Sequence, residues 1–275
     1  MQEPIVPQQP APVYTRPTVG QRIKKFFAPL LAGLAAVAKP LLVALKFGWP
    51  LIKVGGTMFI SLWFYAQAFG WPFAAGFIVL LFIHESGHLI AARLMGLKVG
   101  LPVFIPFMGA MIALKEAPRN AWIESVVGVG GPLVGSMGAI AMAGLYFVTG
   151  NRLFLALGYF GCFLNLFNLI PIVPLDGGRI VSAISPWLWV LGLVIIVPYL
   201  LLHAGGFGIF ILVIVALSLP RVFALFRRRS PEQMRYFECT PAQRISMALL
   251  YFGLLGGLFL AMAILKNLMG LRQIS

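Results

Sequence analysis

The sequence predicts an all-α polytopic membrane protein with about seven transmembrane helices. Hydrophobic residues make up 60% of the 275 residues and charged residues only 10%, whereas an ordinary soluble domain is about 25% charged. Several apolar runs approach or exceed the roughly 20 residues that a helix needs to cross a bilayer. These runs are uniformly apolar instead of alternating, which argues against a transmembrane β-barrel. The expected architecture is therefore a bundle of helices in lipid.

The N-terminal part of the chain is expected to lie outside this bundle. Residues 1–20 are rich in Pro and Gln and lack the pattern of a signal peptide, so we predict a disordered tail. Residues 21–53 form a basic amphipathic segment in which Lys39, Lys46 and Lys53 share one helical stripe. The stripe favours an interfacial helix whose lysines contact anionic lipid headgroups. A transmembrane helix with snorkelling ends is the alternative.

The remaining residues, 54–275, are predicted to form the membrane-embedded domain. We expect its spans near 54–70, 71–95, 122–149, 153–173, 187–203, 206–226 and 245–266. The runs at 187–203 and 206–226 are alternatively one long tilted helix. Basic residues cluster before the first span, after the second and after the sixth. Because positive residues mark cytoplasmic links, we expect those links and the N-terminus on the cytoplasmic side.

The strong positive net charge of the chain is also explained by membrane topology. The chain carries 21 Lys and Arg against 7 Asp and Glu, a balance that is also seen in nucleic-acid-binding proteins. The basic residues are scattered between apolar runs and cluster at their ends, and no nucleic-acid-binding motif accompanies them. The charge therefore indicates membrane topology, and we expect no nucleic-acid partner.

The link LPVFIPFMGAMIALKE, residues 101–116, is too apolar for a solvated loop and is interrupted by Pro and Gly. A short hairpin that dips into the membrane fits this composition, provided that protein covers its backbone groups. Such a hairpin can offer a strand edge to an unwound peptide, which makes Gly109 a candidate substrate contact. A structural plug is the alternative.

Four ionisable residues lie in or beside apolar runs, where a charge costs about 3 kcal/mol or more: His84, Glu85, His88 and Asp176. In the stretch LFIHESGHLI, His84 and His88 are four residues apart and so share one face of a helix. In an H-E-x-x-H motif such a pair binds zinc, and the glutamate is the general base. The alternative is a pair of neutral, hydrogen-bonded interior histidines.

A catalytic zinc ion usually has three protein ligands. Asp176, in NLFNLIPIVPLDGGRI, is the remaining acid in an apolar, glycine-flanked context. Pro171 and Pro174 interrupt the preceding helix, so the backbone there can aim the carboxylate sideways. A turn aspartate that caps the next helix is the alternative.

Two asparagines near the end of the fourth span are further candidates. Asn165 and Asn168 are three residues apart and lie on one helical face. An amide in lipid needs a partner, so each residue either joins two helices or hydrogen-bonds substrate. Asn168 lies closer to the interrupted segment and is the better candidate for substrate binding.

Three motifs in the sequence together resemble a known protein family. HESGH at 84–88, GVGGPLVG at 128–135 and NLIPIVPLDGGR at 168–179 are together similar to the site-2 protease family of intramembrane zinc metalloproteases. The resemblance implies a three-helix catalytic core within 71–180. Many members carry a PDZ domain between the two metal motifs, but the link at 96–121 is too short for one.

The resemblance also implies roles for individual residues. His84, His88 and Asp176 would be the ligands of one Zn²⁺ ion. Glu85 would be the catalytic base, and Asn168 would face the active site. The expected function is cleavage of single-span membrane proteins, often in regulated intramembrane proteolysis, by a multi-pass protein of a bacterial inner membrane.

Two other functions remain open from the residues. A divalent-cation transporter also places acids and histidines in its spans, but it predicts further polar residues along spans five to seven, which are almost purely apolar. A catalytically silent relative that acts as a membrane chaperone would be expected to lose Glu85 or a metal ligand. This chain has kept them all.

Overall fold

The computed structural model describes residues 55–105, 109–114, 116–202, 206–227 and 230–271. The predicted tail at 1–20 and the amphipathic segment at 21–53 lie outside the described residues. Their proposed disorder, membrane-surface position and lipid contacts therefore stay predictions.

The described chain is mainly helical, as predicted. Residues 55–69 are helical and are called α1. The helices that follow are α2 (Trp71–Leu94), α3 (Ala121–Thr149), α4 (Arg152–Asn168), α5 (Asp176–Ile184), α6 (Leu188–Leu202), α7 (Gly206–Leu225), α8 (Pro231–Tyr236) and α9 (Pro241–Leu271). Strands β1 (Val99–Ile105) and β2 (Gly109–Leu114) lie between α2 and α3. The two-stranded sheet formed by β1 and β2 within the described residues lies in the link where the hairpin was predicted.

Three helices within the described ranges are long and apolar enough to cross a membrane, namely Trp71–Leu94, Ala121–Thr149 and Pro241–Gly270. Shorter apolar helices cover Arg152–Asn168, Leu188–Pro198 and Ile211–Leu225. These findings support a helical membrane protein. The count of seven spans stays a prediction.

The predicted fourth span, 153–173, is wrong at its C-terminal end. Helix α4 stops at Asn168, and residues 169–175 are not helical. Pro171 disfavours helical backbone at the residue before it and has no N–H to continue the helix. The alternative of one long helix over 187–226 stays a prediction, as does the pair of spans, because the choice depends on the residues between α6 and α7. Residues 203–205 between them are outside the described part.

Glycines allow α2, α3 and α4 to pack closely. A methyl group on Gly130 of α3 would lie 2.7 Å from the Cβ of Ala91 on α2. A methyl group on Gly161 of α4 would lie 2.8 Å from the Cβ of Ala139 on α3. Both distances are below van der Waals contact, so larger residues would push the helices apart. Small residues at membrane helix interfaces permit this approach.

The predicted hairpin at 101–116 is present as an antiparallel pair of strands. Ile105 pairs with Gly109 at its tip, and Val99 pairs with Leu114 at its base. Both strands contact α2, the helix that carries the HESGH motif. Insertion of this hairpin into the membrane stays a prediction.

Helix α9 packs against α3, α4 and α5. Its buried side chains are spaced by four or seven residues and so form one stripe: Met247, Tyr251, Leu258 and Leu265. Large apolar residues such as Phe252 and Phe259 are exposed on the rest of the helix. An apolar outer surface is what a helix in contact with lipid hydrocarbon requires.

Glu124 joins three elements at the N-terminal end of α3. Its carboxylate accepts a hydrogen bond from the Tyr236 hydroxyl at 2.7 Å and lies 3.3 Å from Nη1 of Arg221. Burial, together with the adjacent Glu124 carboxylate, raises the pKa of Tyr236 well above its usual value. The tyrosine therefore remains a hydrogen-bond donor at physiological pH, and α3 stays linked to α7 and α8.

Candidate metal centre

His84 and His88 lie on successive turns of α2 and are 3% and 7% exposed. Their Nε2 atoms are 3.1 Å apart. Asp176 Oδ2 is 3.2 Å from Nε2 of His84 and 3.1 Å from Nε2 of His88. The structure thus brings the three predicted ligands together, with one atom from each at the corners of a nearly equilateral triangle.

Hydrogen bonds assign the tautomers of both histidines. Nδ1 of His88 lies 2.8 Å from the carbonyl oxygen of Val127, which can only accept, so Nδ1 carries the proton. Nδ1 of His84 lies 2.8 Å from Oδ1 of Asn165. The orientation of this amide is set by its Nδ2, which donates to the carbonyl of Gly161. Both Nε2 atoms therefore direct lone pairs at Asp176.

This arrangement fits one zinc ion. A tetrahedral ion with bonds of about 2.0 Å has ligand atoms roughly 3.3 Å apart, close to the triangle observed. Two imidazole lone pairs and a carboxylate oxygen would repel one another in an apolar interior unless a cation lies among them. Histidine and carboxylate are also ligands that zinc prefers. The alternative of two independently satisfied interior histidines does not explain this convergence.

Glu85 lies beside the triangle without belonging to it. It is buried, and its nearest carboxylate oxygen lies within 4.8 Å of the ligand atoms of His84 and His88. As the next residue on α2, it points about 100° away from His84 around the helix axis. The carboxylate is therefore close enough to act on a molecule held at the metal.

Asp176 is the first residue of α5, and its side chain does not cap that helix. The N-cap residue is Leu175, which makes no side-chain capping bond. The Oδ1 atom of Asp176 lies 3.7 Å from Nη1 of Arg179, whereas Oδ2 faces the histidines. The capping alternative is therefore not what the structure shows. Arg179 contacts one carboxylate oxygen of Asp176 and leaves the other oxygen facing the histidines.

Glycines of the GVGGPLVG motif make room for the site. A methyl group on Gly131 would overlap the ring of His88, and one on Gly135 would overlap the amide of Asn165. The motif was singled out from the sequence only through the family resemblance. Its physical role is to let the imidazole and the amide fit between α2, α3 and α4.

The structure distinguishes the two asparagines. Asn165 contacts the metal-ligand histidine directly, whereas Nδ2 of Asn168 donates to the carbonyl of Leu164 in its own helix at 3.1 Å. Both residues share a helical face, so their spacing could not rank them. Gly109 is the first residue of β2. Roles for Asn168 and Gly109 in substrate binding stay predictions.

The carbonyl of Val127 was missed by the sequence analysis. Every residue has a carbonyl group, so no side-chain pattern marks the one that will accept a hydrogen bond from a metal-ligand histidine. Partners of this kind orient the imidazole and increase its basicity toward the metal.

Comparisons with known proteins agree with this site. Residues 72–154 match peptidase family M50, a range that includes both histidines and Glu85. A zinc metalloprotease of Methanocaldococcus jannaschii is 33% identical over 121 residues, which cover 41% of this chain and 35% of that protein. A protein of Synechocystis sp., named as a provisional zinc metalloprotease, is 30% identical over 130 residues. These residues cover 42% of this chain and 33% of the Synechocystis protein. The similarity thus spans about one third of each relative's length.

Proposed function

We propose that this chain is a zinc metalloprotease of the site-2 protease family, peptidase family M50, and that it hydrolyses peptide bonds of single-span membrane proteins. The observation that carries the proposal is the convergence of His84, His88 and Asp176 beside the buried carboxylate of Glu85. A metal held by three protein ligands retains a position for water or substrate, which is the pattern of catalytic zinc.

The ligand residues would hold the ion, and Glu85 would move the proton. When bound, zinc supplies Lewis acidity that activates water and polarises the scissile carbonyl. Glu85 accepts a proton as the water oxygen bonds to the carbonyl carbon. It then donates that proton to the leaving nitrogen as the C–N bond breaks. Its position beside the ligand atoms of His84 and His88 supports the assignment of both proton transfers to this carboxylate.

Neighbouring residues prepare the site for this chemistry. The Asn165 carbonyl oxygen keeps the proton of His84 on Nδ1, and the Val127 carbonyl does the same for His88. We also propose that Asn168 contacts substrate at the end of α4. Its amide nitrogen has two N–H groups, of which one is used within the helix and the other can donate to a developing oxyanion.

Burial of the site among apolar helices supports a substrate within the membrane. A helical substrate shields its own carbonyl groups with internal hydrogen bonds, so it must unwind locally before cleavage. The β1–β2 hairpin contacts the helix that carries the histidines, and a strand edge can pair with an extended peptide. We propose that the unwound substrate adds to this hairpin.

Substitution of hairpin residues by proline tests that role. Gly109→Pro and Ala110→Pro each remove a backbone N–H from β2, so cleavage should fall about tenfold or more if the strand binds substrate. Zinc content should remain that of the wild type, because none of the described metal ligands lies in the hairpin. Unchanged cleavage with both variants would favour the structural plug.

Glu85→Gln tests the proposed activity itself. We expect about one zinc ion per chain in both wild type and variant, because Glu85 is not one of the three converging ligands. Cleavage of co-expressed single-span membrane proteins should occur with the wild type and fall by about 10²-fold or more in the variant. Metal analysis of purified protein and fragment detection by immunoblot measure the two properties. Equal cleavage by both proteins would contradict the proposal.

A further inference from the structure

The third proposed metal ligand, Asp176, directly follows a turn with little regular structure of its own. Residues 169–175 between α4 and α5 are not helical, and α5 itself has only nine residues. The Oδ2 atom of Asp176 must nevertheless be held at one point relative to His84 and His88 on α2. Metal sites tolerate little displacement of their ligands, so the backbone of this turn needs support from other elements.

Tyr251 of α9 supplies the first support. Its hydroxyl donates to the carbonyl of Leu169 at 2.7 Å, and both residues are buried. The backbone of Gly177, the residue after Asp176, packs directly against the same carbonyl, because a methyl group on Gly177 would overlap it. The Leu169 carbonyl is thus held between the Tyr251 hydroxyl and the backbone that carries the ligand.

Trp189 of α6 supplies the second support. Its indole Nε1 donates to the carbonyl of Gly178, two residues after Asp176, at 2.7 Å. The indole is held in turn by Arg221, whose guanidinium lies 5.9 Å from the ring centroid and 3.3 Å from Glu124. The contact with Arg221 holds the indole of Trp189, and the indole in turn holds the carbonyl of Gly178.

Arg244 of α9 supplies the third support. Its Nη1 donates to the carbonyls of Ala183 at 3.2 Å and Ile184 at 2.7 Å, which are the last two residues of α5. A cation at a helix C-terminus also interacts favourably with the helix dipole. The short helix that begins at Asp176 is thus held at both ends by side chains from α6 and α9.

We propose that Tyr251, Trp189 and Arg244 form a clamp that positions Asp176 for metal binding. They are positioning residues, because each donates a hydrogen bond to the backbone of the turn or of α5 and none of these bonds involves a donor atom of the metal ligands. All three lie outside residues 72–154, the part of the chain that matches the family. The inference rests on the proposed function for the identity of the metal.

The clamp has a specific physical consequence. Removing the Tyr251 hydroxyl leaves the buried Leu169 carbonyl without its donor, and the turn then relaxes to find another partner. Oδ2 of Asp176 shifts with the turn, whereas His84 and His88 stay in place on α2. Loss of a group that orients a metal ligand typically weakens metal binding about 10- to 100-fold.

Tyr251→Phe in the purified full-length protein tests the clamp. The control is Tyr159→Phe, which removes a hydroxyl from α4, whose C-terminus precedes the same turn. The dissociation constant for Zn²⁺ is measured by competition with a chromophoric chelator, and the visible spectrum of the Co²⁺ protein reports ligand geometry. We expect about tenfold weaker Zn²⁺ binding and altered Co²⁺ bands for Tyr251→Phe, and wild-type behaviour for the control.

Trp189→Phe provides a second variant in case Tyr251→Phe does not fold. We expect weaker Zn²⁺ binding and altered Co²⁺ bands for this variant as well. Zn²⁺ binding within twofold of the control, or a Co²⁺ spectrum that superimposes on that of the control, overturns the clamp. Failure of the wild type to bind Zn²⁺ overturns the proposed function instead. The two conclusions are therefore distinguished by which protein fails to bind.

Discussion

Two hydrogen bonds of Asn165 determine which tautomer His84 adopts. The amide nitrogen donates to the Gly161 carbonyl, and this contact turns the amide oxygen toward Nδ1 of His84. The imidazole therefore keeps its proton on Nδ1 and presents Nε2 to Asp176. Asn165 thus selects the tautomer of His84 that metal binding through Nε2 requires.

Asn165→Leu should separate the roles of the two asparagines. We expect the variant to bind Zn²⁺ about 10- to 100-fold more weakly, because His84 loses the acceptor that orients its ring. Asn168→Leu is the matched control on the same helical face and should keep zinc affinity while turnover falls. Chelator competition and cleavage assays measure these effects. Wild-type zinc affinity in Asn165→Leu would show that Asn165 does not orient His84.

At the scale of elements, the glycines of α3 leave space for residues of the neighbouring helices. Gly131 leaves space for the His88 ring, Gly135 for the Asn165 amide, and Gly130 for Ala91 on α2. A helix normally loses stability from glycine. Here the absence of a side chain allows a histidine and an asparagine to lie between closely packed helices.

Gly131→Ala should therefore disrupt the metal site. The new methyl group overlaps the His88 ring, so zinc affinity should fall by about tenfold or more and overpacking should cost about 1–3 kcal/mol of stability. Gly144→Ala is a control in the same helix, because a methyl group there meets nothing within 4 Å. Zinc titration and thermal unfolding report the two effects. Equal zinc affinity in the two variants would contradict this role of Gly131.

At the scale of the whole molecule, the described chain buries several polar and ionisable side chains and exposes many large apolar ones. His84, Glu85, His88, Asn165 and Asp176 are buried, whereas large apolar side chains are exposed on several helices. This distribution suits a protein whose surroundings are hydrocarbon. It also agrees with the proposal that hydrolysis takes place in a part of the protein that a bilayer would surround.

Orientation in the membrane is the prediction that belongs to this scale. Lys98 precedes the hairpin and pairs with Glu116 at 3.0 Å, and both side chains are exposed. The distribution of basic residues predicts that this end of α2 and α3 is cytoplasmic. In a background with Cys239→Ser, a cysteine introduced by Lys98→Cys should react with impermeant reagent only from the cytoplasmic side.

Asn151, in the exposed link between α3 and α4, serves as the control for orientation. Because α3 is long enough to cross the membrane, Asn151→Cys should react only from the opposite side. Labelling of Lys98→Cys from outside and of Asn151→Cys from inside would reverse the proposed orientation. It would leave the metal site itself unaffected.

The sequence alone was sufficient for the helical class and for choosing three residues, His84, His88 and Asp176, that the structure brings together. Long apolar runs have few structures available in lipid, and ionisable residues within them are costly enough to indicate a common site. Most helical boundaries agreed to within about one residue, but α4 stops five residues before the end of its predicted span, ahead of Pro171, and α9 begins four residues before and ends five residues after its predicted span. These inferences depend on composition and local spacing, which a sequence contains in full.

Only the tertiary structure decided which groups surround those ligands. Asn165 and Asn168 are equivalent by spacing, and the rotation of α4 against α2 determines which amide meets His84. The carbonyls of Val127, Leu169 and Gly178 carry no distinguishing side chain, so only their placement shows that they orient His88 or the turn of Asp176. Ligand identity is a property of residue type, whereas ligand geometry depends on packing between elements far apart in the chain.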